Sequence, residues 1–546
     1  MFIESPGSIP QSRRRRPLWL RLFLGVVTAG GSFLLFVVSV AGAFFILIQQ
    51  NWFQQVFFQI VMNHGANSAA SEPSQTITTP YSGPRLDATS IQSAEELFHP
   101  TNIWETRLHF SASQWRQLGP RRIPPVPNWL APDGSPTLRN PLASRAGVAG
   151  TLGWDLPWSS GDADFGGQAF TNAAIRFKGN GTFLEAMSGY KKSFKIDLDE
   201  GAPGRKFAGQ KTLNLHNLIA DRSFIADTLG YEFYRDAGVP APRTTFTRVF
   251  LSVDGRFQDR LLGLYALIEN PDKAWSRAAL GTGGAVLFKP VATRLFEDLG
   301  KDWEAYDDTY APRTEPSEVQ KRRLIDLCQL ISRSDDAAFN RDIVNLLDLD
   351  ETARFIACET LLSNYDGILM NGQNFILWLD PVSQRFGFSP WDLDHSWGEF
   401  GQVGSDSDRE RASLFHPWVG SVRILERLFA CPEFQTRYRR ELTRLLHTLF
   451  VPDRLFRRID QLAAVVRPAV TERPPADQRL AQFESVVGDF IPDSQAATNT
   501  TDRAGKPVAL PHSYQLKHFI AVRATEAEAQ LEGRSDGVRL ERHRGW

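Results

Sequence analysis

Residues 364–398 read NYDGILMNGQNFILWLDPVSQRFGFSPWDLDHSWG, the most informative run of the chain. A loop with one Asp and later Asn residues leads into the apolar segment Phe375–Leu379, and Asp380-Pro381 indicates a turn before the chain returns. The pattern predicts a β-hairpin over residues 375–389. One acidic loop precedes this hairpin, and a second, Asp392-Leu393-Asp394, follows it.

The two acidic loops are expected to meet because a hairpin returns its ends to within about 5 Å in the pairing direction. Asp366, Asn374, Asp392 and Asp394 can then converge without any long-range contact. Carboxylate and amide oxygens make a hard ligand set suited to Mg²⁺ or Mn²⁺. Protein kinases use this arrangement, with a loop Asp near the attacking hydroxyl and an Asn and a second Asp on metal.

Earlier in the chain, a glycine-containing turn supplies candidates for binding phosphate. Arg176-Phe177-Lys178-Gly179-Asn180-Gly181-Thr182 separates two predicted strands, and Lys191, Lys192 and Lys195 follow within one strand length. Alternation places Lys192 and Lys195 on opposite faces of a strand, so at most one of them is expected to face a nucleotide. The turn matches neither the G-x-G-x-x-G pattern nor a Walker A motif.

The periodicity outside these loops indicates an α+β protein with two lobes, strands early and helices late. Ser111 followed by Gln114 is a capping box that opens a short helix. A Pro-rich irregular insertion is expected at 119–147 and a frayed, charged tail at 534–546. Strands are predicted at 104–110, 173–178, 193–198, 244–253 and 261–269, and helices at 221–237, within 316–363, within 424–464 and at 514–531.

The N-terminus carries four arginines, Arg13–Arg16, followed by 27 uncharged positions, Leu22–Ile48. A helix of that length is about 40 Å long and can span a hydrocarbon core of about 30 Å with tilt. We therefore predict a cytoplasmic segment (1–21), an uncleaved transmembrane anchor (22–48) and a linker (49–96) before an exported domain. Ala41-Gly42-Ala43 resembles a signal-peptide cleavage site, but the apolar run continues past it.

Overall composition excludes two further classes of protein. Lys and Arg number 61 against 62 Asp and Glu, so no global positive field favours nucleic-acid coating. Three cysteines in 546 residues exclude a disulfide scaffold.

Taken together, these motifs resemble those of the spore coat protein H (CotH) kinase family, from about Leu97 to about Ala464. The resemblance implies a secreted protein-kinase-like domain with a mainly β N-lobe (about 97–270), a mainly helical C-lobe (about 271–464) and a C-terminal extension (465–546). The segments that carry it are Arg176–Asn180, Lys191–Lys195, Leu213–Leu215 with Asp221–Ser223, Gly238–Pro242, Gly263–Tyr265 with Glu269, Asn364–Asp366, Asn374–Leu377 and Pro390–Asp394 with Trp397-Gly398.

By the same resemblance, Lys192 or Lys195 would contact ATP phosphates near Arg176, Gly179 and Asn180. Glu232 would be the helical partner of that lysine. Asp366 would be the catalytic aspartate, while Asn374 and Asp392 or Asp394 would hold Mg²⁺ or Mn²⁺. Asn371 has the D-x-x-x-x-N spacing of ordinary kinases, but Asn374 precedes the apolar strand as in this family, so we favour Asn374. His216 and His395 are interpreted as structural.

Two functions remain as hypotheses. The first is a membrane-anchored extracytoplasmic kinase that transfers phosphate from ATP to hydroxyl groups, Ser or Thr, of envelope or surface proteins and binds no nucleic acid. The alternative is a non-catalytic kinase-like scaffold for envelope or surface-layer assembly or carbohydrate binding. The complete set of acidic and amide positions favours the enzyme, because a scaffold gains nothing from clustered like charges.

Overall fold

The computed structural model describes residues 80–123, 148–151, 153–291, 295–472, 476–490 and 514–543. Every described residue belongs to one compact unit, Ser68–Trp546. The anchor predicted at 22–48 and most of the Pro-rich insertion lie outside the described residues. No helix within the described ranges has both the length and the hydropathy that crossing a bilayer needs.

The first half of this unit is a closed barrel of seven strands in the order β1-β4-β5-β6-β7-β9-β8. Neighbouring strands are antiparallel except β1 and β8, which run parallel. A separate pair, β2 and β3, lies outside the barrel. These strands are β1 (Ile103–Phe110), β2 (Arg121–Arg122), β3 (Trp154–Asp155), β4 (Ser159–Phe165), β5 (Gln168–Lys178), β6 (Ser193–Asp197), β7 (Thr212–His216), β8 (Thr244–Val253) and β9 (Phe257–Glu269).

A second, three-stranded sheet has the order β10-β11-β12, formed by Val286–Phe288, Phe375–Leu379 and Phe386–Pro390. The chain around it is mainly helical. The helices of the described residues are α1 (Ala94–Leu97), α2 (Ala112–Leu118), α3 (Val148–Thr151), α4 (Gly181–Glu185), α5 (Ala226–Ala237), α6 (Lys273–Ala279), α7 (Trp303–Tyr310), α8 (Glu318–Arg333), α9 (Asp336–Asp342), α10 (Leu349–Leu361), α11 (Asp406–Glu410), α12 (Arg423–Ala430), α13 (Pro432–Thr448), α14 (Pro452–Val470), α15 (Ala476–Val487) and α16 (Leu516–Leu531).

Helix α5 joins the two halves and positions the acidic loops. Its residues belong to a single apolar core that also contains barrel, hairpin and α10 side chains. Gly230 allows the closest contact, because a Cβ at this position would lie 2.8 Å from Leu393 Cδ1. The helix ends at Gly238, whose φ of 88° is readily adopted only without a side chain. The loop that contains Leu393 is thereby packed directly on α5.

Several predicted elements are confirmed. The hairpin forms with Phe375 opposite Pro390, and α2 opens on the predicted capping box of Ser111 and Gln114. The mixed α+β class is correct, with strands concentrated before Glu269. The predicted frayed tail is wrong over its described part, because Val538 and Arg542 pair with Ala412 and Val403.

Candidate active site

Asp366 lies in the loop that follows α10, and side-chain amides of the same loop surround its carboxylate. Asn371 Nδ2 donates to Oδ1 at 2.7 Å, and Gln373 Nε2 donates to the same oxygen at 3.3 Å. Asn374 Nδ2 donates to Oδ2 at 2.8 Å. Burial raises the pKa of Asp366, against the opposing charge of His395. Both asparagines considered from the sequence therefore contact Asp366 directly.

The hairpin brings Asn374 to the second acidic loop. Trp391 N donates to Asn374 O at 3.0 Å, immediately before Asp392. Asn374, Asp392 and Trp397 all have left-handed backbone, with φ of 59°, 57° and 63°. Non-glycine residues rarely adopt this conformation, and such residues cluster at functional sites. Asn374 and Asp392 flank the open end of the hairpin, so two of these conformations occur where the two acidic loops meet.

Helix α5 holds the second acidic loop by two hydrogen bonds. Asp392 N donates to Tyr231 Oη at 2.9 Å, and Leu393 N donates to Asp227 Oδ1 at 2.7 Å. Asp227 thus adds a fourth carboxylate to those predicted. We call Asp227, Asp366, Asp392 and Asp394 the acid group.

The barrel contributes a lysine and a histidine that reach this group. On β5 and β7, Lys178 ammonium contacts His216 Nε2. His216 Nδ1 lies 3.3 Å from Asp227 Oδ2 and 3.4 Å from Asp392 Oδ1. Burial and the Lys178 charge lower the pKa of His216, so its imidazole is neutral at pH 7. In the tautomer that fits these contacts, Nδ1–H donates to carboxylate and Nε2 accepts from Lys178.

Strand register explains why several cations share one face of the barrel. Arg176 lies opposite Lys195, and Lys195 lies opposite Asn214. Side chains two apart along a strand point the same way, so Lys178 joins Arg176 and Lys195. From the second sheet, Lys289 adds an ammonium group 4.7 Å from the Trp391 ring centroid. We call Arg176, Lys178, Lys195, Lys289 and Arg313 the cation cluster.

Members of the cation cluster repel one another. Burial lowers the pKa of Lys178 to about 8, opposed by Asp392. Burial, with Arg176 and Arg313 nearby, lowers the pKa of Lys195 to about 8 as well. The pKa of Lys289 falls well below its ordinary value because of burial and Arg313. Among the described residues, no side-chain hydrogen bond contributes to the pKa of Lys195 or Lys289. Such a cluster suits a polyanionic ligand.

The acid group is equally crowded with negative charge. Burial raises the pKa of Asp394 well above its ordinary value, and Asp392 adds to the effect against the charge of His395. Burial opposes ionisation of Asp392, but His216 and Lys178 outweigh it and hold its pKa below the ordinary value. Among the described residues, no group of three or more His, Cys, Asp or Glu is arranged to hold a metal ion.

His395 provides a positive charge beside these carboxylates. Burial lowers its pKa, but Asp394 and a hydrogen bond from Nδ1 to Glu399 Oε2, 2.8 Å long, raise it to about 10. His395 is therefore an imidazolium at pH 7. From the sequence, His216 and His395 are interpreted as structural. In the structure, His216 contacts Asp227 and Asp392, and the positive charge of His395 lies near Asp394.

Two other residues selected from the sequence lie elsewhere. Lys192 Nζ donates to the backbone oxygens of Ala186 and Met187, at 3.0 and 3.3 Å, so this ammonium holds the loop before β6. Glu232 forms an ion pair with Arg458, with an O–N distance of 2.5 Å, instead of pairing with a site lysine. On the same helix α5, Asp227 occupies the position next to the lysine–histidine pair.

The predicted glycine turn immediately follows the lysine of the cluster. Gly179 has a φ of 95°, and a Cβ there would lie 2.5 Å from Thr182 Oγ1, so only glycine fits. Asn180 then opens the short helix α4. The turn thus leads into a helix rather than directly into the next strand.

The site residues not selected from the sequence differ in whether a sequence pattern could have identified them. Lys178 stands two positions from Arg176 and His216 two positions from Asn214, so strand alternation alone pointed to both. Asp227 is an acidic residue in the first turn of a helix, a common position with no special signal. Lys289 and Arg313 come from outside any motif. Lys289 follows β10, which pairs with β11, and Arg313 is held beside β10 by a hydrogen bond from its N to Leu287 O at 2.7 Å.

Asp366, Asn374 and the Asp392 loop lie in the part of the chain that a known protein family matches. The family model described as CotH kinase protein matches residues 175–501, more than half of the chain. The chain belongs to the CotH kinase protein family. All four members of the acid group and all five of the cation cluster fall inside the matched CotH segment.

A curated relative is the Inner spore coat protein H of Bacillus subtilis (strain 168), 23% identical over 308 residues. The match covers 55% of this CotH-family chain and 80% of that protein. A solved structure, the Shewanella oneidensis MR-1 toxin–antitoxin complex of HipA, HipB and operator DNA, is 14% identical with a TM-score of 0.21. It covers 59% of this chain and 57% of that chain, and at this TM-score it carries no argument about the fold.

Proposed function

We propose that this CotH-family chain is an ATP-dependent kinase that phosphorylates hydroxyl groups, Ser or Thr, of proteins outside the cytoplasm. One observation carries the proposal: Lys178 on barrel strand β5 contacts His216 and lies beside Asp227 of α5 and Asp392 after the hairpin. A nucleoside triphosphate offers negative charge to the cations, and the acid group can bind a counter-cation and a hydroxyl. The arrangement of barrel and mainly helical region is proposed to be the bilobal layout of a kinase.

Phosphate binding is assigned to Arg176, Lys178 and Lys195. Their mutual repulsion costs stability in the absence of a ligand, and a polyanion would relieve it. Arg176 Nε is buried and has no hydrogen-bond partner among the described residues, so it is available to a ligand oxygen. Lys178 is fixed by His216, which stays neutral and so leaves the lysine charge available. The glycine turn at Gly179 and Asn180 would pass beside the same phosphates.

Asn374, Asp392 and Asp394 fit Mg²⁺ or Mn²⁺ by the chemistry of their oxygens. Burial, together with the charges of Asp392, Asp227 and Asp366, raises the pKa of Asp394. A divalent cation would favour its ionised form. When bound, the ion would neutralise charge on the phosphates. Asp392 and Asp394 would be two carboxylate ligands and Asn374 Oδ1 the amide ligand.

Asp366 is proposed as the carboxylate that orients the acceptor hydroxyl and takes its proton. The acceptor oxygen forms a bond to the γ-phosphorus, the bond from that phosphorus to the β–γ bridging oxygen breaks, and ADP leaves. Three amides fix the direction of the Asp366 carboxylate before substrate binds, and such preorganisation is a major source of catalysis. Lys178 and its neighbours provide charge stabilisation.

The proposed location is the cell envelope or surface. The relative named Inner spore coat protein H supports a coat or extracellular setting. With the sequence of residues 22–48 as an anchor, the domain would stand outside the membrane and act on envelope proteins, without nucleic acid. A reporter fused after Trp546 should be active only on the outer side.

The proposal is tested with the purified full chain, radiolabelled ATP, Mn²⁺ or Mg²⁺ and an envelope extract as acceptor. We expect incorporation into protein that requires metal, and ATP-dependent thermal stabilisation that Lys178→Met weakens. A second candidate, a non-catalytic scaffold, is favoured by one observation, since all Asp366 carboxylate oxygens already accept amide hydrogens. If the chain shows no phosphate incorporation and no nucleotide binding, the scaffold function is selected.

A further inference from the structure

A cleft of about 280 Å³ lies between the loop that precedes β6, the segment that precedes α5 and helix α15. Lys191, Arg222 and Arg479 line it, one from each of these elements. Ile219, 40% exposed, contributes an apolar surface. None of these residues has a role in the proposed phosphoryl transfer.

We propose that this cleft, the anion cleft, binds a negatively charged segment of the acceptor protein, a proposal that rests on the proposed kinase function. The ligand chemistry is a row of carboxylates or phosphoryl groups next to the hydroxyl that is phosphorylated. Such a segment would set acceptor choice without contacting the reacting atoms.

Arg479 is the strongest indication of an anionic ligand. Its Nε is buried and has no hydrogen-bond partner among the described residues. Burial lowers the pKa of this guanidinium, and no carboxylate within the described ranges opposes the shift. A buried guanidinium nitrogen without an acceptor is costly, and an incoming carboxylate or phosphoryl oxygen would satisfy it.

The carboxylates that line the cleft do not neutralise it. Asp221 is turned toward its own backbone, with Oδ1 accepting from Ser223 N at 2.8 Å and Oδ2 from Ala226 N at 2.9 Å. Glu185, the other acidic lining residue, is exposed at the end of α4. The acidic lining residues therefore leave Arg479 without a carboxylate partner among the described residues.

Ion pairs connect the anion cleft to the acid group. Arg222 lies 4.0 Å from Glu399, and Glu399 accepts from His395, the cation beside Asp394. The segment that supplies Asp221 also leads directly into α5, which carries Asp227. A peptide held in the cleft would therefore lie next to the acid group rather than on a remote surface.

The test measures binding of fluorescein-labelled Ser peptides to the full chain by anisotropy. The peptides share one core and differ only in flanks of Glu, phosphoserine, Gln or Lys. We expect Glu or phosphoserine flanks to bind more tightly than Gln or Lys flanks, and Arg479→Gln to weaken that binding about tenfold, or about 1.4 kcal/mol. Arg222→Gln combined with Arg479→Gln should abolish the preference.

The matched control is Arg457→Gln, which removes an exposed arginine from α14 and should leave peptide affinity unchanged. Comparing Glu with phosphoserine flanks separates a carboxylate ligand from a phosphoryl ligand, and either supports the proposal. Equal binding of all four peptides, or no effect of Arg479→Gln, would overturn it. The proposal would also be overturned if Arg479→Gln lost ATP binding but kept its peptide binding. Because binding is read without phosphoryl transfer, an inactive enzyme with an intact peptide preference would refute only the proposed kinase function.

Discussion

Arg542, at the C-terminal end of the described chain, donates from Nη2 to Asn371 Oδ1 at 2.9 Å. The other end of that amide, Asn371 Nδ2, donates to Asp366. The tail is held there by pairing of Arg542 with Val403 and by a hydrogen bond from His543 N to Gln402 O. The last residues of the fold therefore help to orient the carboxylate proposed to act in catalysis.

Replacing Arg542 should slow phosphoryl transfer without loosening nucleotide binding. In Arg542→Gln the Asn371 amide loses its charged donor, and one such hydrogen bond is worth about 1 kcal/mol, so kcat should fall roughly fivefold. ATP-dependent thermal stabilisation should not change. Arg534→Gln, at an exposed arginine paired with Glu532, is the control. An unchanged kcat in Arg542→Gln would show that the tail has no influence on Asp366.

Two lysines close in sequence should behave differently. Lys178 faces the acid group, so Lys178→Met should weaken ATP binding at least tenfold, about 1.4 kcal/mol, with little loss of stability. Lys192 holds backbone oxygens, so Lys192→Met should lower the free energy of unfolding by about 1–3 kcal/mol through unsatisfied carbonyls and leave ATP affinity intact. Calorimetric titration and urea unfolding separate the two. The reverse pattern would restore Lys192 as the nucleotide lysine.

The hairpin and its acidic loops could be predicted because their contacts are local. Phe375 and Pro390 pair across a short turn, so the positions of Asn374 and Asp392 follow from strand geometry. The phosphate-binding lysine was harder to predict. The choice between Lys192 and Lys195 considered only the segment around β6, and Lys178 lies on the neighbouring strand β5. A residue such as Lys289 reaches the site through β10 pairing with β11, which is about ninety residues away in sequence. No local pattern encodes such a pairing.

Stability should depend on pH through Glu359. This buried carboxyl accepts from Tyr234 Oη at 2.6 Å and from Asn364 Nδ2 at 3.0 Å, and burial raises its pKa to about 8. Between about pH 4.5 and about pH 8 the folded protein retains a proton that the unfolded chain releases. The stabilisation is therefore complete below about pH 4.5 and is lost as pH rises, at up to about 1.4 kcal/mol per pH unit.

Glu359→Gln removes this titration while keeping the shape of the side chain. The amide can donate to Asn364 Oδ1, which is buried and has no partner among the described residues. The gain in the free energy of unfolding relative to wild type should increase from about pH 5 to about pH 8, measured by urea denaturation. A difference that stays constant across this range would mean that Glu359 is ionised in the folded protein.

Metal should stabilise the protein through the Asp392 loop. With ATP present, Mg²⁺ or Mn²⁺ should raise the melting temperature, since a ligand at 100-fold excess over Kd adds about 2.7 kcal/mol. Combining Asp392→Asn with Asp394→Asn should abolish that rise. The control is Glu399→Gln. This carboxylate accepts a hydrogen bond from His395 but is not one of the proposed metal ligands. A full metal response in the double variant would remove both aspartates from the site.

Catalysis itself should depend on Asp366. In Asp366→Asn, the remaining oxygen can keep the hydrogen bond from Asn374 Nδ2, while the new NH₂ group faces the Asn371 and Gln373 amides, which must reorient. The fold and nucleotide binding should survive, because the cation cluster is untouched. Phosphoryl transfer should fall by roughly 10²–10⁴-fold, the range for a positioned acid or base group. Asp380→Asn, at the turn between the hairpin strands where Asp380 caps Val382 N and Ser383 N, is the matched control. Equal transfer by wild type and Asp366→Asn, with Asp380→Asn also active, would exclude Asp366 as the proton acceptor. Asp380 serves as the comparison because it lies at the turn of the hairpin, the end opposite Asn374.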